Sequence, residues 1–489
     1  MVWRNPVIPG FHPDPSVCRV ADDYYLVTSS FTWFPGVPIF GSPNLVDWTQ
    51  LGNVLDRPSQ LDLRGSESWA SFGIFAPTIR HHDDRFWMIT TNSTGGGNFF
   101  VTADDAAGPW SDPVLVDLAG IDPDLAWDEE GRCWVHFSGG GIQRVRIDDA
   151  TGEVLEGPDL AWSGTGLQYP EAPHLYERDG VWYLLIAEGG TERGHAVSVA
   201  RAASPVGPWE PCPANPILSH RSTDRPIQNT GHGDLVEAPD GQWWMVLLGV
   251  RPRGMTPGFH VLGRETFLTP VEWIDGWPVV GEVLLEHEGL AASVNWNGRD
   301  DFDAEVLHPR WISVRRPPAE MSSLADGQLV LHGTDATLDS LEPVLVGRRQ
   351  QHHHCRVRAL VDPGGASEAG LAVYMDDGAH YEIGVRGDEV VVRGRSAPFE
   401  QVLASAPCTA GAVVLEVETV DHPWGPDAVR LSIGGEVLAE LDGRHLSTET
   451  RTGFLGRVIG MYAVGGDAAF EWFDYEEVCS PQEAAPWAS

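Results

Sequence analysis

Short apolar runs broken by Gly, Asp and Pro recur along this chain, and five of them share one layout. Each has a leading residue, a short strand, an acidic or glycine turn, and an aromatic-rich strand. The copies are DPSVCRVADDYYLVTSS from Asp14, APTIRHHDDRFWMITTN from Ala76, DPDLAWDEEGRCWVHFS from Asp122, EAPHLYERDGVWYLLIAEGG from Glu171 and HGDLVEAPDGQWWMVLLG from His232. Successive starts are 62, 46, 49 and 61 residues apart. That spacing leaves room for about four short strands per unit, the content of a β-propeller blade. The turns ADD, HDD, DEEG, ERDG and PDGQ offer Asp or Gly where a tight hairpin needs positive φ. No helical periodicity competes over this region, so the expectation is a five-bladed propeller across residues 1–295.

Beyond HEGLAASVNWNGRDDFD the blade pattern stops. Segments such as QLVLHG, AGLAVYMDDGAHYEIGVRG, EVVVRGR and AVVLEVETV alternate with period two between Gly, Asp and Pro turns. They predict an antiparallel β-sandwich of jelly-roll or concanavalin-like kind over residues 296–489. The whole chain is therefore expected to be all-β. The triplet His352, His353 and His354 suggests a metal set, but neighbouring strand residues point to opposite faces. These histidines are expected as strand residues in RRQQHHHCRVRAL.

At 489 residues the chain is long enough for two or three domains with ordinary cores. A net charge of −38, spread along the chain, disfavours nucleic acid and anionic membranes as partners and suits a small neutral substrate. The 20 tryptophans could supply apolar platforms for sugars, although most must pack cores. Six scattered cysteines without a CxxC read as free thiols. The N-terminus has no charged-then-apolar signal, and no apolar run approaches the ~18 residues of a membrane span. A cytoplasmic location is the expectation, and a homo-oligomer is compatible with it.

Pro13 and Pro15 flank Asp14, which places its carboxylate at the mouth of a strand instead of inside the ladder. If each leading residue points at the propeller axis, Asp14, Asp122, Glu171 and His232 meet there from distant parts of the chain. Asp124 competes with Asp122, since residues two apart share a strand face; aligning DPS with DPD favours Asp122.

The stretches NPVIPGFHPDPS, SSFTWFPGVPIF, GIDPDL, PEAPHLY, AEGGT, TGHGDLVE and LGRETFL, with DDFD and RRQQH further on, resemble glycoside hydrolase family 43. The likeness is to its members related to β-xylosidases and α-L-arabinofuranosidases, and it spans nearly the whole chain. It implies a five-bladed propeller and hydrolysis with inversion at the anomeric carbon. Asp14 then resembles the general base, Glu171 the general acid, and Asp122 a third carboxylate that orients the acid and raises its pKa by repulsion. His232 resembles an axial histidine, in some members beside a water-coordinated calcium; no cofactor is expected to be required. Arg264 resembles the arginine that reaches the sugar and the neighbouring carboxylate. Phe31, Trp33 and Phe34 are expected around the sugar, Phe31 foremost.

Two departures bear on the substrate. Where β-xylosidase-like members have GxWAP, this chain has GIFAP, so Phe75 offers a smaller face without an indole N–H. Where relatives project an aromatic ring from a C-terminal loop, this chain reads Val458 beside Arg457. In relatives the sandwich also lends a loop that closes the pocket, which implies an exo-hydrolase releasing a terminal pentose. D-xylose from xylo-oligosaccharides is the first expectation and arabinofuranoside cleavage the alternative.

Overall fold

The predicted hairpins form where their turn residues supply positive φ: Asp83 and Asp84 at 50° and 58°, Asp179 and Gly180 at 54° and 77°, and Gly131 and Gly241 at 73° and 84°. In the first hairpin Ala21 carries the strained conformation, at 54°. The computed structural model describes residues 2–64, 69–290, 295–409 and 411–478. It divides into two units, Met1–Arg251 with Arg264–Val294, and Pro252–Gly263 with Asn295–Ser489. The short excursion 252–263 thus belongs with the second unit, a detail no local pattern announces.

Among the described residues the first unit contains five four-stranded antiparallel sheets. Their innermost strands are Ser16–Val20, Thr78–His82, Ile121–Trp127, Glu171–Arg178 and Gln228–Glu237. Each packs beside the next, and the fifth returns to the first, which closes a five-bladed ring. Second strands such as Val181–Glu188 are buried along nearly their whole length, because each blade is covered on both faces by its neighbours. The cores lie between blades: Ile39 and Val54 of the first pack with Ile79 and Met88 of the second, and Leu185 and Val199 of the fourth pack with Met245 and Phe267 of the fifth. The N-terminal segment fastens the ring. Asn5 Nδ2 donates to the carbonyls of Leu268 and Leu284 at 2.9 and 2.8 Å, and Asn5 Oδ1 accepts from Leu268 N–H.

The second unit pairs a six-stranded and an eight-stranded antiparallel sheet, counted among the described residues. Its four anticipated stretches fall within Gln328–Gly333, Glu368–Asp376 with Ala379–Arg386, Glu389–Ser396 and Val413–Val420. The three histidines are not strand residues, however. The chain leaves the six-stranded sheet after Leu345–Arg349 and enters the eight-stranded one at Cys355–Asp362, and His352–His354 make the bend between them. His352 Nδ1 lies 3.1 Å from the Tyr475 hydroxyl and His354 Nε2 2.9 Å from Asp421, so the two side chains serve different partners.

Arg457 and Val458 also differ from expectation. Neither exposes any surface. Arg457 is locked to Asp427 at 2.6 and 3.0 Å and donates to the carbonyls of Leu446 and Gly443, while Val458 opens the strand Val458–Val464. Both are interior groups of the sandwich. The five described cysteines are free thiols, and Cys479 lies outside the described residues. No helix among the described residues is long and apolar enough to cross a membrane.

Candidate active site

At the ring's centre the innermost strands depart from regular pairing. Register shifts interrupt the ladder between Ile121 and Asp124, Glu171 and His174, and Gly231 and Asp234. Bulges of this kind re-aim side chains next to active sites. Asp14, Asp122, Ala172 and His232 all adopt positive φ, at 55°, 55°, 50° and 48°. These four are the true equivalents within the repeat. Glu171 therefore stands one residue ahead of the aligned position, which Ala172 occupies. The sequence alignment of Glu171 with Asp14 and Asp122 is corrected by one, because the strand starts at Glu171 and the bulge follows it.

Asp14 is buried and held from several sides. Arg264 Nη1 donates to Oδ1 at 2.9 Å and Nη2 to Oδ2 at 3.4 Å, and Ser29 Oγ donates to Oδ2 at 2.6 Å. His232 Nδ1 lies 3.4 Å from Oδ1. Burial alone would raise this carboxyl, but Arg264, His232 and the Ser29 hydroxyl outweigh it and keep Asp14 below the usual carboxylate range. Arg264 also donates to Thr191 Oγ1 at 2.9 Å and lies over the Phe31 ring, 5.6 Å from its centroid.

Glu171 moves the other way. Burial first, then the charge of Asp14, push its carboxyl up to about 7 against a smaller opposing pull from Arg264. Asp122 is raised well above the usual range, by burial and then by Glu171 and Asp14, although the Ala172 N–H stabilises its anion. Two adjoining acids in one buried site resist ionising together. The sequence expectation assigned the raised pKa of Glu171 to Asp122. Burial leads instead, Asp14 is the charge that follows it, and Asp122 is raised in turn.

His232 is buried and pushed down to about 3, chiefly by burial, so it faces Asp14 as a neutral imidazole. His195 packs against the backbone of Gly231, where an added Cβ would meet its ring at 2.4 Å, and its Nδ1 lies 2.9 Å from the Asn229 carbonyl oxygen. Among the described residues no three His, Cys, Asp or Glu side chains are grouped to hold a metal ion directly.

Of the expected aromatic residues, Phe31 borders the site between Phe11 and Phe75, with centroids 5.8 and 5.4 Å away. Phe75 is partly exposed. Trp33 and Phe34 are not presented to a ligand: Trp33 exposes none of its surface and Phe34 packs in the core between the first two blades.

A second polar layer, absent from the sequence expectations, lies beside these residues on the same strands. Arg80 Nη2 contacts Asp124 Oδ1 at 2.9 Å, and Nη1 contacts Asp234 Oδ2 at 3.0 Å. Arg80 Nη2 also lies 3.0 Å from His174 Nδ1. Asp124 Oδ2 accepts from Leu175 N–H at 2.7 Å; Asp234 accepts from Ser16 Oγ at 2.7 Å, from Val17 N–H at 3.0 Å and from the Tyr176 hydroxyl. This network joins the innermost strands of all five blades. The repeat did carry a signal for it: the residue two beyond each aligned start, Ser16, Thr78, Asp124, His174 or Asp234, is polar in every copy. Asp124 thus has a structural partner, and Asp122 belongs to the acidic pocket.

Residues 3–278 match glycosyl hydrolases family 43, and residues 299–476 match the beta xylosidase C-terminal concanavalin A-like domain. The chain is 38% identical to the non-reducing end alpha-L-arabinofuranosidase BoGH43B of Bacteroides ovatus, covering 97% of this chain and 94% of that protein. It is 37% identical to a xylosidase/arabinosidase of Butyrivibrio fibrisolvens, covering 97% and 98%. The solved structure of Bacteroides ovatus xyloglucan PUL GH43B superimposes with a TM-score of 0.90 at 37% identity, over 98% of this chain and 100% of that one. Matched over both its ring of blades and its sandwich, and alike over nearly its whole length to these relatives, this chain belongs to glycoside hydrolase family 43 and is an exo-acting glycosidase.

Proposed function

We propose that this enzyme removes terminal pentosyl units from small neutral oligosaccharides with inversion, accepting both β-D-xylosyl and α-L-arabinofuranosyl ends. The observation that carries the reading is the opposed tuning of two carboxyl groups in one buried site: Asp14 held ionised, Glu171 pushed up to about 7. Pairs of acids driven apart by their surroundings divide into base and acid.

In this mechanism Asp14 accepts a proton from water as its oxygen attacks the anomeric carbon. Glu171 gives its proton to the departing glycosidic oxygen, and the bond to the leaving sugar breaks through an oxocarbenium-like transition state. Asp122, its own carboxyl raised by burial and by the charge of Glu171, is tied through the Ala172 N–H to the backbone that carries Glu171 and so positions it. Arg264 holds Asp14 in place and packs on Phe31. His232, charged only in acid and neutral near pH 7, leaves Arg264 as the cation that keeps Asp14 ionised there.

The acceptance of arabinofuranosyl ends is supported by two observations. Phe75 stands where a larger, N–H-bearing ring would serve a xylopyranosyl unit, and the relatives aligned over 97% of this chain are described as an arabinofuranosidase and a xylosidase/arabinosidase. Parallel rates on nitrophenyl β-D-xylopyranoside and nitrophenyl α-L-arabinofuranoside test the reading. Turnover of both is expected; turnover of neither, or of hexosides alone, would overturn it.

A further inference from the structure

From the buried base outward the aromatic rings do not end at Phe75. The Phe72 ring lies 6.4 Å from that of Phe75 and within 13° of parallel, and the Trp69 ring lies 6.3 Å beyond Phe72, edge-on. Exposure rises along the row, from 3% at Phe31 through partly exposed Phe75 to 39% at Phe72 and 38% at Trp69. The row begins where Arg264, paired with Asp14, covers Phe31.

Its backbone is pinned. Phe72 N–H donates to the Trp69 carbonyl at 2.8 Å, which closes a tight turn that presents both rings. Gly73 N–H donates to Ser93 Oγ at 2.9 Å, and Ser93 N–H returns to the Gly73 carbonyl at 2.8 Å. Ile74 pairs with Phe31 through both backbone groups. Gly73 has φ +124°, and a Cβ there would sit 2.1 Å from the Phe31 carbonyl oxygen, so only glycine lets this turn approach so closely. Large exposed apolar rings on an ordered turn, continuous with an active site, mark a binding surface.

We infer that Phe72 and Trp69 form a platform for the leaving-group side of the substrate, on which successive sugar rings of the oligosaccharide lie as they emerge from the pocket. An exo-acting enzyme encloses the terminal sugar, so rings that lead outward from the enclosed end meet the part that leaves. Each pyranose has an apolar C–H face suited to an aromatic ring, and no charged group is needed for such a contact. The inference rests on the exo-pentosidase reading and adds a preference for chains of three or more units over two.

The test compares kcat/KM and KM on oligosaccharides of two, three and four units, ending in whichever pentose the wild type cleaves. In the wild type KM is expected to fall with length. In Phe72→Ala and Trp69→Ala, KM for three and four units should rise about three- to tenfold relative to that for two, the equivalent of losing one buried apolar sugar face per ring. The conservative Phe72→Trp should retain the length dependence, which a merely structural role for Phe72 would not require. If Phe72→Ala fails to fold, the Trp69→Ala series and tryptophan fluorescence of wild type and Trp69→Phe titrated with a xylotriose product decide. A wild type without length dependence, or variants that keep it unchanged, would overturn the platform. A wild type that cleaves no pentoside at all would instead overturn the proposed function.

Discussion

Asp14 is buried and Glu171 partly exposed, and what further separates their roles is which neighbour each has. Arg264 and Ser29 contact Asp14, whereas Glu171 meets the charge of Asp14 itself. Glu171→Gln should lower kcat on natural oligosaccharides by about 10²–10⁴, with a smaller loss on nitrophenyl glycosides, whose leaving group needs little protonation. Asp14→Asn should remove activity on both, because water must be activated whatever leaves. Comparable losses for Glu171→Gln on both substrate types would remove it as the acid. A raised Glu171 keeps its proton until pH nears about 7, so the basic limb of kcat should lie there and activity should fall as pH rises through it. Asp14, lowered, should hold the acid limb below the ordinary carboxylate range. Asp122→Asn replaces a carboxyl that is already neutral when Glu171 loses its proton, so the maximum rate should fall through poorer positioning while the basic limb stays near about 7. A basic limb moved to lower pH would show instead that the charge of Asp122 keeps the proton on Glu171.

The innermost strands carry the site by being irregular in a repeated way. A left-handed residue and a bulge at Asp122, Ala172 and His232 turn the chain at the axis, and a non-glycine residue in that conformation persists only when its surroundings hold it. Here the holding group is the Arg80 network two residues further along each strand. Arg80→Met would leave Asp124 and Asp234 buried without their cation, a loss of about 3–5 kcal/mol of stability, read as a marked fall in melting temperature. Asp124→Asn should also lower the melting temperature but leave the basic limb of kcat in place, since Asp124 faces Arg80 and not the acidic pair. An unchanged melting temperature for Arg80→Met would contradict the network's role. This is also where legibility in the sequence ended. Asp14, Asp122 and His232 were readable because hairpin spacing fixes which residue opens each innermost strand. Glu171 was found one position out of register because a bulge leaves no mark on residue type. Arg80 is the arginine of TIR in the second repeat, and its partners come from other blades, contacts that no local pattern encodes. The bend at His352–His354 was missed for a related reason: a crossing between sheets looks, in sequence, like one more strand.

At the scale of the whole molecule, five repeats and a run of alternating strands sufficed for the architecture, because propellers and sandwiches are built from local hairpins. What repeats do not encode is the small departure, such as the segment 252–263 that joins the second unit. The net charge of −38 sets an expectation of its own. A neutral sugar is neither steered nor repelled by that field, so kcat/KM should change by less than about twofold between low and roughly 0.5 M salt; a steep salt dependence would indicate a charged substrate. The central claim is a single displacement in which Asp14 activates water and Glu171 protonates the leaving oxygen. Proton NMR of the first sugar released from a β-D-xyloside, recorded before mutarotation, tests it most directly. The account predicts that α-D-xylose appears first, and initial release of the β anomer would contradict it.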